Sequence, residues 1–181
     1  QKSREAWLDA AMEALDEGGV DAIRVERMAR ALGVTKGSFY WHFSDRAELL
    51  EAVVQRWETA GTAAVIEQIE AAGGDARARI LRLWSHTSTH ARLGAELALR
   101  DWARRDPAIA ARVQTVDDRR MQYLRGLFSE LSGSSSDIEQ RAMLMYSLLI
   151  GNYFIAAKHG RRSRKRVLDD SIEFLLGDGD G

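Results

Sequence analysis

The residues best suited to chemistry lie in one short run, T-K-G-S-F-Y-W-H-F, at positions 35–43. Phe39 and Phe43 are four residues apart, so on a helix they share one face, which we expect to pack in a core. The amine, phenol and imidazole groups of the run would then point outward and donate hydrogen bonds to phosphate oxygens or base edges. The run therefore predicts a surface that contacts DNA. The alternative interpretation is a pair of partly buried aromatic residues beside a solvated lysine.

The elements that must position this run are predicted to be a helix, a tight turn and a second helix. The first is a short helix at residues 25–32, and Gly33 can adopt the positive φ that the turn requires. Ala29, four residues before Gly33, is small enough to let the second helix cross closely. The second helix is predicted to begin at Thr35, with the threonine hydroxyl capping amides near Ser38. Together these elements predict a helix-turn-helix.

The rest of the chain also has helical patterning. A first helix is predicted at residues 3–18, and Asp45 and Glu48 have the spacing of a capping box that begins a longer helix. Asp106 followed by Pro107 is a helix start signal, because proline loses an amide that has no partner at the first helical position. Strand-like alternation is nearly absent. The sequence therefore predicts an all-α fold of about nine helices.

The last two predicted helices differ in how their apolar residues are arranged. Residues 138–158 are apolar on more than one face, whereas residues 167–176 have a single apolar stripe. A helix that is apolar on several sides must be buried on several sides, which in a small protein indicates a subunit interface. We therefore expect a homodimer.

Composition excludes several classes of protein. The chain has 181 residues, no cysteine and one proline, which excludes disulfide frameworks, thiol nucleophiles, thiolate zinc sites and collagen-like structure. The formal net charge of −1 argues against a protein that coats nucleic acid non-specifically, although residues 24–46 and 158–166 are locally basic. The longest apolar run, at residues 143–157, is shorter than the roughly 18 residues of a membrane span. We expect a cytoplasmic protein without a membrane partner or a cofactor.

Residues 25–50, V-E-R-M-A-R-A-L-G-V-T-K-G-S-F-Y-W-H-F-S-D-R-A-E-L-L, resemble the tetracycline-repressor (TetR) family of bacterial transcription regulators. The likeness is specific over about the first 57 residues. The resemblance implies a helix-turn-helix DNA-binding domain at residues 1–45. It implies a connector helix with a ligand-binding and dimerisation domain at residues 46–181. The expected function is a repressor that binds a palindromic operator as a dimer and is released by a small molecule.

The resemblance also implies which residues contact DNA. Lys36, Gly37 and Ser38 fall where the family reads bases. Phosphate contacts are implied at Thr35, Tyr40, His42 and Arg46, and the exposed aromatic surface includes Trp41. The chain departs from the family where the first helix of the motif begins, because the usual threonine is absent. There Arg24 is expected to replace the phosphate contact, and Glu26 to accept a hydrogen bond from a cytosine amino group.

Candidate ligand-binding residues are the aromatic, polar and methionine side chains of the central helices, since effector pockets are mostly apolar with a few polar groups. They are Trp84, His86, His90, Trp102, Met121, Tyr123, Met143, Tyr146, Asn152 and Tyr153. The resemblance places dimerisation on the last two helices. The candidate interface residues are Met145, Leu149, Tyr153, Leu168, Ile172 and Leu175.

Two other functions remain open at this point. The acidic Glu26 and the missing threonine would also fit a helical dimeric ligand-binding protein without operator binding. His86 and His90, four residues apart, could hold a metal in a small hydrolase. The glutamate of the zinc-protease pattern is absent, however, so we expect neither a metal site nor an enzyme.

Overall fold

The computed structural model describes residues 2–89, 93–132 and 137–177. Across these ranges the regular structure is helical, without a β-strand, which confirms the predicted all-α fold. The nine α-helices of the described residues are α1 (Arg4–Gly18), α2 (Val25–Leu32), α3 (Arg46–Glu58), α4 (Ala64–Ala71), α5 (Ala76–Thr89), α6 (Leu93–Ala103), α7 (Pro107–Ser132), α8 (Ile138–Gly151) and α9 (Arg164–Leu176). Two 3₁₀ helices, Val20–Ala22 and Lys36–Trp41, and a π-helical turn, Thr59–Ala63, complete the regular structure described.

Local capping signals fix several helix starts. The Asp45 carboxylate accepts a hydrogen bond from the Glu48 amide at 2.9 Å, and the Glu48 carboxylate accepts one from the Ser44 amide at 2.7 Å. Asp106 accepts a hydrogen bond from the Ala108 amide at 3.0 Å at the start of α7. These side chains satisfy amides that have no partner within the helix. The predicted starts of α3 and α7 are therefore confirmed.

The first of two compact units comprises Gln1–Ala64 and Ala91–Asp117. Its core contains the three rings of Trp7, Phe39 and Phe43, all buried. Trp7 meets Phe39 edge-on at a centroid distance of 5.3 Å, and Phe39 stacks on Phe43 at 5.4 Å. The prediction that both phenylalanines face a core is confirmed. The boundary near residue 45 stays a prediction, although packing also places α3 and α6 in this unit.

Within the first unit, α6 begins directly against the end of α1. The Asp16 carboxylate accepts a hydrogen bond from the Ala95 amide at 3.0 Å. A Cβ atom added at Gly94 would lie 2.7 Å from the backbone oxygen of Asp16, closer than real Cβ contacts allow. Glycine is therefore required at position 94 by the close approach of the two helices.

In the same unit, a buried polar network connects α3, α6 and the first part of α7, up to Asp117. Glu96, 6% exposed, accepts a hydrogen bond from the indole nitrogen of Trp57 at 2.9 Å. Arg100 donates to Glu96 at 2.9 Å and to Asp117 at 2.7 Å. The buried carboxylate is thus paired with a cation and hydrogen-bonded, as a buried charge must be.

The second unit comprises Val65–His90 and Asp118–Gly181. Apolar side chains of α5, α7, α8 and α9 form its core. The buried members are Ile80, Trp84, Met121, Leu124, Leu127, Phe128, Ala142, Met145, Ile172 and Leu176. At its surface, the Tyr123 hydroxyl donates a hydrogen bond to Glu70 at 2.6 Å.

Helix α8 is shorter than predicted. It ends at Gly151, whereas the apolar pattern predicted a helix to residue 158. The Arg164 guanidinium donates to the carbonyl oxygens of Asn152 at 2.7 Å and Ala157 at 3.2 Å, which replaces the hydrogen bonds of a continued helix. The pattern failed because this competing donor lies on α9, distant in sequence. No helix in the described ranges has both the length and the apolar character needed to cross a lipid bilayer.

The second element of the helix-turn-helix is a 3₁₀ helix, Lys36–Trp41, rather than the predicted α-helix. Its first turn closes through the Ser38 amide, which donates to the Thr35 carbonyl oxygen at 3.0 Å. The predicted cap by the Thr35 hydroxyl is wrong, because the carbonyl takes that role. Short segments with glycine, here Gly37, are poor α-helix formers. The predicted turn is confirmed, with Gly33 at φ 68°.

Candidate nucleic-acid interface

Two large aromatic side chains project from the 3₁₀ helix. Tyr40 is 55% exposed and Trp41 is 78% exposed, whereas Phe39 between the helix and the core is fully buried. The Tyr40 ring leans edge-on against Phe39 at 5.3 Å, which anchors it from beneath. The buried phenylalanine thus fixes the direction of Tyr40. This arrangement presents a phenol and an indole N–H to a partner.

An ion pair joins the two elements of the helix-turn-helix. The Lys36 ammonium lies 2.5 Å from the Glu26 carboxylate, and half or more of each side chain is exposed. The hydrogen bond from Lys36 lowers the pKa of Glu26, and its acceptance by Glu26 raises the pKa of Lys36. Both groups therefore stay charged near neutral pH. The sequence predicted separate base contacts for these two residues and did not predict their pairing.

Arginine side chains hold the backbone that precedes α2. Arg46 donates to the carbonyl oxygens of Ile23 at 2.7 Å and Val20 at 2.8 Å. Arg24 donates to the carbonyl oxygen of Asp21 at 3.1 Å. Arg46 therefore has a structural role that the sequence did not indicate, and the phosphate contacts of Arg24 and Arg46 stay predictions.

His42 and Ser38 are less available than the sequence indicated. The His42 ring nitrogen Nε2 lies 2.8 Å from the carbonyl oxygen of Lys2, so the imidazole is tied to the residues before α1. The Ser38 hydroxyl oxygen is shielded from solvent and makes no hydrogen bond to any described residue. The base contact predicted for Ser38 therefore requires a change of side-chain rotamer.

A shallow groove of about 490 Å³ lies on this surface. Its lining residues are Val34, Thr35, Gly37, Ser38 and Trp41. A Cβ atom added at Gly37 would meet its nearest neighbour, the Thr35 hydroxyl, at an ordinary 3.7 Å. Packing within the chain therefore does not require glycine at position 37. A glycine here leaves the backbone open to close approach by a partner.

Residues 8–53 match the sequence model of a family described as "Bacterial regulatory proteins, tetR family". Residues 8–53 are therefore a TetR-family amino-terminal domain. The match contains all of the predicted DNA-contacting residues and confirms the resemblance drawn from the motif. Nothing in it tests the role of each residue, so the site residues stay predictions.

Curated proteins similar to this chain match its amino-terminal part. The HTH-type transcriptional regulator SrpR of Pseudomonas putida is 39% identical over 54 residues, which are 30% of this chain and 25% of that protein. The tetracycline repressor protein class D of Escherichia coli is 37% identical over 51 residues, which are 28% and 23% of the two chains. The chain thus matches about a quarter of the length of these relatives.

Solved structures match along nearly the whole chain. A TetR-family regulator from Rhodococcus sp. has a TM-score of 0.71 at 22% identity, covering 96% of this chain and 98% of that chain. A transcriptional regulator from Saccharomonospora viridis, in complex with choline, has a TM-score of 0.76 at 16% identity, covering 93% and 92%. At these identities the likeness shows the fold alone.

The predicted ligand-binding residues do not form one cluster. Trp102 packs against the core of the first unit, and Met143 is exposed on α8. Met121 is buried in the core of the second unit, and His86 is half-buried on α5. His90 lies outside the described residues. Trp102 and Met143 thus lie apart from the core of the second unit, and the ligand-binding residues stay predictions.

Three of the remaining candidates in the second unit already have polar partners. The Trp84 indole donates to Asp169 at 3.2 Å, and the Tyr146 hydroxyl accepts from Arg120 at 3.1 Å. The Asn152 side chain accepts from the guanidinium that caps α8. Burial raises the pKa of Tyr153 above that of a free phenol. No group of three potential metal ligands occurs among the described residues.

The predicted dimer contacts need a correction. Met145 is 4% exposed and Ile172 is 1% exposed, because both pack in the second unit's own core. Neither side chain presents surface to a partner. Leu149, Tyr153, Leu168 and Leu175 are half-buried and stay predictions.

Instead, the large exposed apolar residues of the second unit lie beside the predicted ones. They are Met143, Leu144, Phe154, Ile155 and Phe174. The sequence did not give them as interface candidates, although a helix with apolar residues on several faces was the available signal. The helical pattern shows that several faces are apolar but not which of them the chain's own core covers.

Proposed function

We propose that this chain is a transcriptional regulator that binds operator DNA through the surface of Lys36, Tyr40 and Trp41. The observation that carries the proposal is the exposure of the two aromatic side chains beside a cation, while Phe39 and Phe43 fix the segment from within. Exposed donors of this kind suit phosphate oxygens and base edges in the major groove. The open backbone at Gly37 supports the same interpretation.

We propose further that the regulator acts as a homodimer on a palindromic operator. Residues 142–157 contain no charged side chain, and Phe174 on α9 is 86% exposed. Apolar surface without charges suits a second copy of the same chain, which would present an identical surface across a two-fold axis. Two recognition surfaces about 34–36 Å apart would then enter successive major grooves.

The third part of the proposal is release from the operator by a small molecule bound in the second unit. The Saccharomonospora viridis regulator, which has a similar fold, was solved in complex with choline. This supports a small-molecule effector without identifying the one used here. An effector that prefers the conformation unable to span two grooves would lower operator affinity by the ratio of its affinities for the two states. Such a repressor would act in the cytoplasm, where the chromosome lies.

The test is selection of the full chain against random duplex DNA, followed by affinity measurements for the winner at several salt concentrations. We expect a palindromic winner and a salt slope that grows with the number of phosphates neutralised. No enrichment, with the dimer intact by light scattering, would contradict operator binding. That result would favour a helical dimeric ligand-binding protein.

A further inference from the structure

The Glu26–Lys36 ion pair is an unusual feature of a DNA-contacting surface. Lys36 is the single basic side chain of the 3₁₀ helix, and its ammonium lies 2.5 Å from the carboxylate of Glu26 on α2. In this state the Lys36 ammonium, the cation best placed to contact DNA, is neutralised by Glu26. The carboxylate itself is repelled by phosphates.

Stability does not explain the pair. Both side chains are largely exposed, and exposed ion pairs contribute little to folding free energy because water and salt screen them. The elements it joins already share a buried core, which includes Met28 and Ala29 of α2 and Phe39 of the 3₁₀ helix. The position of Glu26 is therefore better explained by what it does to Lys36.

We propose that Glu26 is a specificity-determining residue that withholds Lys36 from phosphates and reserves it for a base pair. This inference rests on the proposed operator binding. On random DNA the pair stays closed, so Lys36 adds nothing to non-specific affinity. At a cognate C·G pair the ammonium donates to the guanine O6 and N7 atoms, and the freed carboxylate accepts a hydrogen bond from a cytosine amino group.

At the cognate base pair, Lys36 and Glu26 each replace their mutual contact with a hydrogen bond to a base. Opening the pair at a phosphate would leave Glu26 unpaired beside a polyanion, which is unfavourable. Opening it at a guanine edge next to a cytosine amino group satisfies both side chains at once. Specificity then arises because only one base combination compensates the broken ion pair.

The experiment compares the full-length wild type with Glu26→Gln on two probes, a random 30-base-pair duplex and the duplex selected by the wild type. We expect Glu26→Gln to bind the random duplex several-fold more tightly. The plot of log affinity against log salt should steepen by about 0.9 for each lysine released to a phosphate. The preference for the selected duplex should fall about tenfold or more, because base discrimination is lost.

Two further variants separate this mechanism from a general charge effect. Glu17→Gln also removes one negative charge and frees a cation of α2, since Glu17 pairs with Arg27 at 3.0 Å. It should leave the preference for the selected duplex unchanged. The double variant Glu26→Gln, Lys36→Gln should lose the gain on random DNA, because that gain requires the lysine.

Several outcomes would overturn the inference. These are an unchanged salt slope in Glu26→Gln, an equal loss of preference in Glu17→Gln, or a gain that persists in the double variant. In each of these cases the wild type still binds its selected duplex, so operator binding survives. If the wild type and every variant fail to bind either duplex, the proposed function fails and the inference fails with it.

Discussion

The two units expose large apolar side chains in different chemical surroundings. In the first unit, Tyr40 and Trp41 lie beside Lys36 and the open backbone of Gly37. In the second unit, Leu144 lies within residues 142–157, which carry no charge. The mixed polar and aromatic surface suits a polyanion, whereas the uncharged surface suits another apolar protein face. Exposure alone therefore does not identify a partner, but the neighbouring side chains do.

The two units also differ in how similar they are in sequence to known proteins. The curated relatives match residues of the first unit at 37% to 39% identity, whereas the whole-chain likeness rests on structures at 16% to 22% identity. Duplex DNA presents the same phosphate geometry to every binding protein, which limits the side chains that fit it. Small-molecule effectors differ in shape and polarity, so the effector-binding role proposed for the second unit would set no comparable limit.

The largest expected effect is loss of the dimer when charge is placed on the apolar surface of the second unit. We expect the double variant Leu144→Glu, Phe174→Glu to sediment as a monomer at micromolar concentration, because two carboxylates would have to be buried at the interface. Affinity for the selected operator should fall by more than about a hundredfold, since a monomer contacts one half-site.

Gln140→Glu is the matched control for this experiment, because it adds a charge at an exposed polar position of the same helix. It should leave the sedimentation coefficient unchanged. A double variant that stays dimeric would show that this surface is not the interface. The uncharged apolar surface of the second unit would then need a different partner.

A smaller effect is expected for substitutions on the first unit's surface. Lys36→Ala and Tyr40→Phe should each weaken operator binding by about fivefold to a hundredfold, because each removes a contact to a base or a phosphate. Fluorescence anisotropy at fixed salt measures this. Unchanged affinity in both variants would contradict the assignment of this surface.

Arg46→Ala distinguishes a DNA contact by this arginine from a structural role in the fold. The Arg46 guanidinium holds the carbonyl oxygens of Val20 and Ile23, so its loss should lower the free energy of unfolding by about 1–2 kcal/mol. Chemical denaturation measures this. If Arg46→Ala weakens operator binding as strongly as Lys36→Ala without loss of stability, the arginine is a DNA contact instead.

Glycine substitutions test how tightly each unit is packed. Gly94→Ala should lower the free energy of unfolding by about 1–3 kcal/mol, because the new methyl group would overlap the end of α1 at Asp16. The control is Gly126→Ala in α7, where an added Cβ would have no described atom within 4 Å. It should raise stability by about 0.5–1 kcal/mol through helix propensity. Equal effects in both variants would contradict the close approach described for α6.

Features that depend on neighbours in sequence could be predicted. The caps at Asp45 and Asp106, the turn at Gly33 and the buried face of Phe39 each follow from residues within one or two helical turns. The family motif also indicated the candidate DNA-contacting surface, because its residues lie in one short segment, and their roles stay predictions.

Features that depend on distant residues could not be predicted. Helix α8 ends early because Arg164 binds the carbonyl oxygens that follow it. The burial of Ile172 depends on how α9 packs in the second unit, which no periodicity specifies. The pairing of Glu26 with Lys36 needs the turn between their elements to be built first. In all three cases the deciding contact joins different elements of the fold.

The smallest expected effect concerns acid stability in the second unit. The hydrogen bond from the Tyr123 hydroxyl, with the nearby Arg79, lowers the pKa of Glu70 below its usual value of 4.5. A carboxylate with a lowered folded-state pKa stabilises the fold above about pH 4.5 and loses that contribution as the pH falls through the lowered pKa.

Tyr123→Phe should therefore reduce stability by less than about 1 kcal/mol at pH 7, since Glu70 is partly exposed, and the difference should shrink towards pH 3. Tyr146→Phe is the control, because its hydroxyl accepts a hydrogen bond from Arg120, which stays protonated, and its effect should not vary over that pH range. A Tyr123→Phe deficit that stays constant from pH 7 to pH 3 in thermal unfolding would show that the phenol acts by packing and not through the charge of Glu70.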